Sequence, residues 1–349
     1  MLGFAIVGCG MIARFHARAL AAIPGTRVAA LVSRSGRGAA ELLAETGLPA
    51  CPIVANLEEA LTLPGIDAAI ITTPSGAHLE PAIAAAKAGK HVVVEKPLEI
   101  TEERCDRIVE ACDAAGVKLC TIFPSRFADS SLALKRAVEA GKFGRLTLGE
   151  TACKWWRSQA YYDDGGWKGT LALDGGGALM NQAIHSVDLL LWMMGDVEAA
   201  SGFMATLAHE RIEVEDTAVG ILRFRSGALG TIRATTSIHP GYPKSIAIHG
   251  NRGSAVIEQE DVLTWDFAEA TPDDEAIKQR FAAKVGASGG AADPKAIDSE
   301  GHRRQLADFV EAIRANRPPA VDGREGRKAV AVISALYESQ RTGRIVEVR

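Results

Sequence analysis

The stretch Leu2-Gly3-Phe4-Ala5-Ile6-Val7-Gly8-Cys9-Gly10-Met11-Ile12-Ala13 decides the fold. A short apolar run ends in Gly8-x-Gly10-x-x-Ala13, and a helix-like segment from Arg14 to Ile23 follows. A buried strand, a glycine turn and a helix, in that order, form the unit that holds a dinucleotide pyrophosphate. Gly8 makes the tight turn, Gly10 leaves room for backbone to approach a phosphate, and small Ala13 lets the helix pack close to the strand. The N–H groups of the helix's first turn point at the phosphates, where the macrodipole also favours negative charge. Gly8, Gly10, Met11 and Ile12 are therefore the first cofactor-binding candidates.

The rest of the chain bounds this reading. A length of 349 residues favours two domains. The net charge of −4 is spread without long runs, which argues against nucleic acid and anionic membranes as partners. No apolar segment reaches the ~18–20 residues of a membrane span. The N-terminus is already a strand and lacks the basic and apolar regions of a signal peptide, so a cytoplasmic location is expected. Cys9, Cys51, Cys105, Cys112, Cys120 and Cys153 form no CxxC pair or zinc spacing, and the histidines show no metal-site spacing. No metal is expected.

The second predicted strand, Arg27 to Ser33, bears on the cofactor. An NAD-selective site places an acid at its end for the ribose 2′-hydroxyl. Here the residues are Ser33-Arg34-Ser35. No acid rejects a 2′-phosphate, and a guanidinium can bind one, which favours NADP over NAD. Stacking of Arg34 on adenine would suit either cofactor. Further apolar strands follow at Cys51–Val54, Asp67–Thr72, His91–Val94 and Lys118–Phe123, separated by helical segments. That alternation indicates a doubly wound parallel sheet of the Rossmann type over residues 1–123. Ligands bind beyond the carboxyl ends of such strands. Thr73, Pro74 and His78 after one strand, and Glu95 and Lys96 after another, join the cofactor-binding candidates. Glu95 also reads as structural. A lysine emerging from Val92-Val93-Val94 into a ligand crevice is poised to hydrogen-bond a reacting hydroxyl, and a cis bond at Pro97 would fix it.

In this order, Gly8-Cys-Gly10-Met-Ile-Ala13, Thr73-Pro74-Ser75-x-x-His78 and Glu95-Lys96-Pro97-Leu98 resemble the Gfo/Idh/MocA family, named for glucose-fructose oxidoreductase, inositol dehydrogenase and rhizopine catabolism. The Glu-Lys-Pro motif is the specific element. The resemblance implies an α/β protein: an N-terminal Rossmann domain, then a C-terminal α+β domain at 124–349 with a large open, mostly antiparallel sheet. Its final helix, about 322–340, packs back on the first domain.

In the second half, Trp155-Trp156-Arg157…Tyr161-Tyr162…Trp167-Lys168 concentrates aromatic faces in a chain with few of them. Such faces suit a sugar ring, and equally a core or subunit interface. Trp156, Tyr161 and Trp167, with Arg126, are substrate-binding candidates. Next, Asp174-Gly175-Gly176-Gly177 opens a segment predicted as one helix, with Asn181, His185 and Asp188 at i, i+4 and i+7 on one face. Polar residues on one face of an apolar helix imply a buried network or a site. This segment is similar to the family's GG-x(4)-D-x-G-x-H-x-x-D-L helix, with Asn181 where many members have Asp. The resemblance implies that Lys96 and His185 flank the substrate carbon. Both are candidate catalytic and substrate-binding residues, with Asn181 and Gln182 as further substrate contacts. Asn cannot accept a proton but can hydrogen-bond a hydroxyl.

Candidate antiparallel strands follow at Ala199–Thr206, Thr217–Phe224, Ala228–Thr236, Lys244–Gly250 and Gly253–Glu258, then an irregular excursion with a short helix over residues 266–300. An open sheet face must be covered, which points to a homo-oligomer, dimer or tetramer. The expected function is NAD(P)-dependent hydride transfer between nicotinamide and a secondary alcohol of a sugar, polyol or sugar derivative. Alternatives are a nicotinamide-retaining enzyme with net non-redox or sugar–sugar exchange chemistry, a dehydrogenase of a nucleotide-activated sugar, and a non-catalytic dinucleotide sensor.

Overall fold

The computed structural model describes residues 1–163, 166–282 and 299–349. It divides into two compact units: Met1–Pro124 with Ser299–Arg327, and Ser125–Asp298 with Lys328–Arg349. The first unit holds a parallel sheet of β1 (Leu2–Val7), β2 (Thr26–Val32), β3 (Ile53–Val54), β4 (Ala68–Ile71), β5 (His91–Val94) and β6 (Leu119–Thr121). Their order is β3-β2-β1-β4-β5-β6, the doubly wound order expected from the alternating pattern. Helices α1 (Met11–Ala21), α2 (Arg37–Thr46), α3 (Leu57–Thr62), α4 (Leu79–Lys87) and α5 (Glu102–Ala115) connect the strands. Asn56 caps α3 by accepting the Glu59 N–H at 2.9 Å, and Thr101 caps α5 from Arg104 at 3.3 Å. Phe4, Ile6, Ile70 and Val93 are fully buried, as central parallel strands require.

The second unit begins with α6 (Asp129–Glu139), β7 (Leu146–Lys154) and α7 (Gln159–Asp163). A π-helical turn, Ala178–Ala183, leads into α8 (Ile184–Met194). Strands β8 (Val197–Ala205), β9 (Thr217–Phe224), β10 (Leu229–Thr235), β11 (Ser245–Gly250), β12 (Gly253–Glu258) and β13 (Asp261–Phe267) follow, then α9 (Pro272–Arg280). With β14 (Val346–Glu347) at one edge, the sheet runs β13-β12-β11-β7-β10-β9-β8-β14. Its neighbours are antiparallel except β7 and β10, which run parallel. The expected excursion begins later than the sequence suggests, because β13 extends through Phe267 and buries Trp265. Residues 283–298 of that excursion lie outside the described residues.

Helix α10 (Glu300–Arg314) corrects the sequence-based division, which placed every residue from 124 onward in the second domain. Its apolar stripe, Leu306, Phe309 and Val310, joins Ala13, Ala17 and Leu20 of α1 in the core of the first unit. Gln305 fixes the helix there, accepting the Phe123 N–H at 2.9 Å and donating to the Thr121 carbonyl at 2.7 Å. Periodicity identifies a buried stripe but not the surface that buries it. In α11 (Gly323–Thr342), residues up to Arg327 belong to the first unit and those from Lys328 to the second.

Candidate active site

The dinucleotide half of the site lies in the first unit. Gly8 has φ +91°, and a Cβ there would lie 2.9 Å from the Thr72 carbonyl oxygen, so the turn tolerates only glycine. Thr72 Oγ1 donates to the Gly8 carbonyl at 2.6 Å and pins the turn to the end of β4. At Gly10 a Cβ would meet no atom within 4 Å, so backbone is open to close approach on that side. Gly10 caps α1 without a side-chain hydrogen bond, and the first turn carries no acid. These are the features of a pyrophosphate cradle, and the residues present fit a bound dinucleotide. Met11 and Arg34 are exposed, whereas Ile12 and Ser33 are half-buried. Arg37 is engaged with Glu41 at 2.9 Å.

The loops after β4 and β5 are tied together. His78 is fully buried, with Nε2 at 2.9 Å from the Thr73 carbonyl and Nδ1 at 2.9 Å from the Pro97 carbonyl. Both ring nitrogens are thus occupied by protein, which makes His78 a clamp rather than a group presented to a ligand. Burial pushes its pKa below the usual histidine value. The Lys96–Pro97 bond is cis, and Lys96 is half-buried. Beneath it lies a charge cluster that sequence reading did not assemble. Glu95 Oε1 is 2.6 Å from His16 Nε2 of α1 and 3.9 Å from His302 Nε2 of α10. Its other oxygen accepts the Lys96 backbone N–H at 3.1 Å. Burial opposes the carboxylate, but the hydrogen bond and charge of His16, then His302 and Lys96, hold its pKa down at about 2. Glu95 therefore supports the lysine from inside the protein.

In the second unit the glycine run is a packing device. A Cβ on Gly177 would lie 1.9 Å from the Glu215 carbonyl oxygen, and one on Gly176 would lie 2.0 Å from Tyr337 Oη. The Glu215 carboxylate accepts the Gly177 and Leu179 N–H groups at 3.0 and 2.8 Å. The helix that follows is not the single α-helix expected. It opens with a π-helical turn, and Asp188 does not share the less buried side with Asn181 and His185. From Gly176 to Leu191, Asn181 and His185 are the residues that escape burial. Asp188 instead faces inward, accepting from Arg126 Nε at 2.9 Å and Nη2 at 2.6 Å. Arg126 is 4 % exposed and also lies over the Trp192 ring. It anchors α8 from within and is not displayed to a sugar.

Around Asn181 the structure joins several predicted residues into one chain of hydrogen bonds. Gln182 Nε2 donates to Tyr161 Oη at 3.0 Å and to Asn181 Oδ1 at 3.2 Å. Gln182 Oε1 accepts from Arg157 Nη2 at 3.1 Å. Asn181 Nδ2 donates to Asp174. Lys168 sits 4.1 Å over the Tyr161 ring. Trp156 packs instead against His209 and His239, and half-buried Trp167 lies outside this chain of contacts. Asp174, Arg157 and Lys168 stand within the quoted motifs, but nothing in their local spacing marks them as partners of Asn181, Gln182 and Tyr161. Among the described residues no cluster of His, Cys, Asp and Glu is placed to hold a metal ion. No helix among them is long and apolar enough to cross a membrane.

A doubly wound sheet with an open glycine turn, a lysine at the end of β5, and a second unit with an accessible histidine on a buried helix define a nicotinamide-dependent oxidoreductase. Comparison with known proteins makes this specific. The model of the oxidoreductase family with an NAD-binding Rossmann fold matches residues 2–123, and that of the GFO/IDH/MocA C-terminal domain matches residues 131–256. The chain belongs to the Gfo/Idh/MocA family. It is 35 % identical to the WlbA dehydrogenase of Bordetella pertussis, solved in complex with NADH and UDP-GlcNAcA, with a TM-score of 0.87 over 100 % of this chain and 99 % of that one. It is 28 % identical to a myo-inositol 2-dehydrogenase of Thermotoga maritima over 98 % of this chain and 97 % of the relative. It is 30 % identical to a levoglucosan dehydrogenase of Pseudarthrobacter phenanthrenivorans over 59 % of each.

Proposed function

We propose that this oxidoreductase is a dehydrogenase that oxidises a secondary alcohol of a sugar, polyol or sugar derivative with a nicotinamide dinucleotide. The observation that carries the reading is the pattern of exposure after the glycine run, where two polar side chains four residues apart, Asn181 and His185, stay accessible on an otherwise buried helix. The carbohydrate dehydrogenases among its relatives support the same class of substrate. When bound, the nicotinamide supplies the hydride acceptor. His185 takes the alcohol proton as general base, since imidazole titrates nearest neutrality. Lys96 hydrogen-bonds the same oxygen and polarises it. Asn181, Gln182 and Tyr161 recognise neighbouring hydroxyls, and Trp156 and Trp167 offer ring faces. The test is an assay of Lys96→Met and His185→Ala against a carbohydrate panel. Each is expected to lower kcat by roughly 10²–10⁴-fold, and His185→Ala is expected to do so with little change in dinucleotide affinity. Near-wild-type turnover in both variants would overturn the assignment.

For the cofactor, the family binds NAD(H), and the Ser33-Arg34 turn after β2 supports a preference for NADP over NAD in this chain. A nucleotide-activated uronic acid is a second reading of the substrate, favoured by the ligand held in the Bordetella relative. Turnover of such a compound, with none on free sugars or polyols, would select it. The exposed apolar side chains on one sheet face, Phe203, Val219, Ile221 and Leu229, support a homo-oligomer formed through that face. Sedimentation of the wild type and of Ile221→Lys tests this, with a shift to monomer expected in the variant.

A further inference from the structure

We propose that Asp174 is a positioning residue of the hydroxyl-reading site, holding the Asn181 amide in one orientation and supplying the negative charge that position 181 lacks. The inference rests on the reading of His185 as the base. Asp174 is 1 % exposed and fixed at both oxygens. Oδ2 accepts the Gly169 N–H at 2.8 Å, and Oδ1 accepts from Asn181 Nδ2. Gln182 Nε2 donates to the other end of the amide, Asn181 Oδ1, at 3.2 Å. The amide is thereby oriented from both sides, nitrogen toward Asp174 and oxygen toward Gln182. Asn181 and His185 lie four residues apart at the accessible side of the helix, so the charge on Asp174 stands one hydrogen bond from the surface that His185 shares.

The identities at 174 and 181 are a single choice. A carboxylate at 181 would meet the Asp174 carboxylate at hydrogen-bond distance, and two such groups cannot both ionise near neutrality. An amide at 174 facing the amide at 181 would leave either the Gly169 N–H or the Asn181 N–H opposite another N–H. The exchange Asp174→Asn with Asn181→Asp keeps all three bonds. The new amide oxygen takes the Gly169 N–H, its nitrogen donates to the new carboxylate, and that carboxylate's second oxygen accepts from Gln182.

The experiment compares the wild type, Asp174→Asn, Asn181→Asp and the exchange. The readouts are the His185 ring titration by NMR (assigned with His185→Ala), thermal unfolding, dinucleotide affinity, and kcat and KM across pH. Asp174→Asn is expected to lower the His185 titration point, since the anion bonded to Asn181, four residues from His185, is lost. It is also expected to lower kcat about tenfold, with dinucleotide affinity unchanged. In Asn181→Asp a new titration enters the kcat profile. The exchange restores the His185 titration and most of the lost turnover. A purely structural Asp174 would instead lower the unfolding temperature of Asp174→Asn without moving the His185 titration, and that result overturns the proposal, as does an exchange no better than the worse single variant. The NMR arm needs no substrate, so a protein that turns over no carbohydrate would refute the proposed function while leaving Asp174 to be decided by His185.

Discussion

Replacing Glu95 with Gln isolates the buried cluster beneath Lys96. The Glu95 pKa is about 2 in the folded protein against 4.5 for an ordinary glutamate. At ~1.36 kcal/mol per unit, that difference corresponds to roughly 3 kcal/mol of folding stability. Because the folded-state value is depressed, the stabilisation is complete above about pH 4.5 and is lost as pH falls toward 2. Glutamine keeps the shape, removes the anion that His16 and His302 face, and does not titrate. The variant is therefore expected to be less stable by roughly 3 kcal/mol at pH 7, with the gap shrinking to roughly 1 kcal/mol at pH 3. Tryptophan fluorescence is a poor reporter, since Trp155, Trp156, Trp167, Trp192 and Trp265 all belong to the second unit. Amide hydrogen exchange at Ile70, Val93 and Val94, compared between the two proteins at each pH, reads the right sheet. A gap that stays constant from pH 7 to pH 3 would refute the claim that the His16–Glu95–His302 charges set this stability.

Other perturbations follow from the same geometry. Arg126→Met strands the Asp188 carboxylate inside the second unit and should cost about 3–5 kcal/mol in urea unfolding followed by Trp192 fluorescence, with Arg126→Met/Asp188→Leu recovering most of it. If the single variant unfolds like the wild type, the pair does not anchor α8. Gly177→Ala drives a methyl group into the Glu215 carbonyl, 1.9 Å away, and should lower the unfolding temperature and abolish turnover while dinucleotide binding survives. Unchanged activity would mean that the helix start can shift freely. Arg34→Asp should weaken NADP⁺ binding by about tenfold or more, or ~1.4 kcal/mol, and favour NAD⁺ in direct titration. Equal loss for both cofactors would assign Arg34 to adenine stacking.

What the sequence disclosed and what it withheld divide by range. The glycine turn, the buried strands and the cap at Asn56 are local, and period and residue type place them within a residue or two of the observed elements. Lys96 and His185 stand out because a polar residue beside an apolar run is conspicuous in one dimension. The His16–Glu95 contact joins residues 79 apart, and His302 adds a third segment from beyond β13. No local pattern announces such a meeting. The direction of Asp188 is a subtler loss. Spacing alone places it on the face of Asn181 and His185, but the pairing with Arg126 holds it inside. Asp174 carries no local signal, since its partner Asn181 stands seven residues later, beyond a glycine run.

The return of α10 to the first unit has a consequence for how the chain is made. The ribosome completes β1 to β6 early, but Leu306, Phe309 and Val310, which cover Ala13, Ala17 and Leu20 of α1, emerge only after residues 125–298 have been added. At ~5–20 residues per second that interval is roughly 10 to 35 seconds. Throughout it the nascent first unit carries an uncovered apolar strip on α1, and with it a His16–Glu95 pair not yet roofed by His302. A fragment ending at Pro124 would keep that strip permanently, so it should bind chaperones and aggregate, whereas a circular permutant opened before Ser299 would make α10 ahead of α1 and complete this core without waiting for residues 125–298.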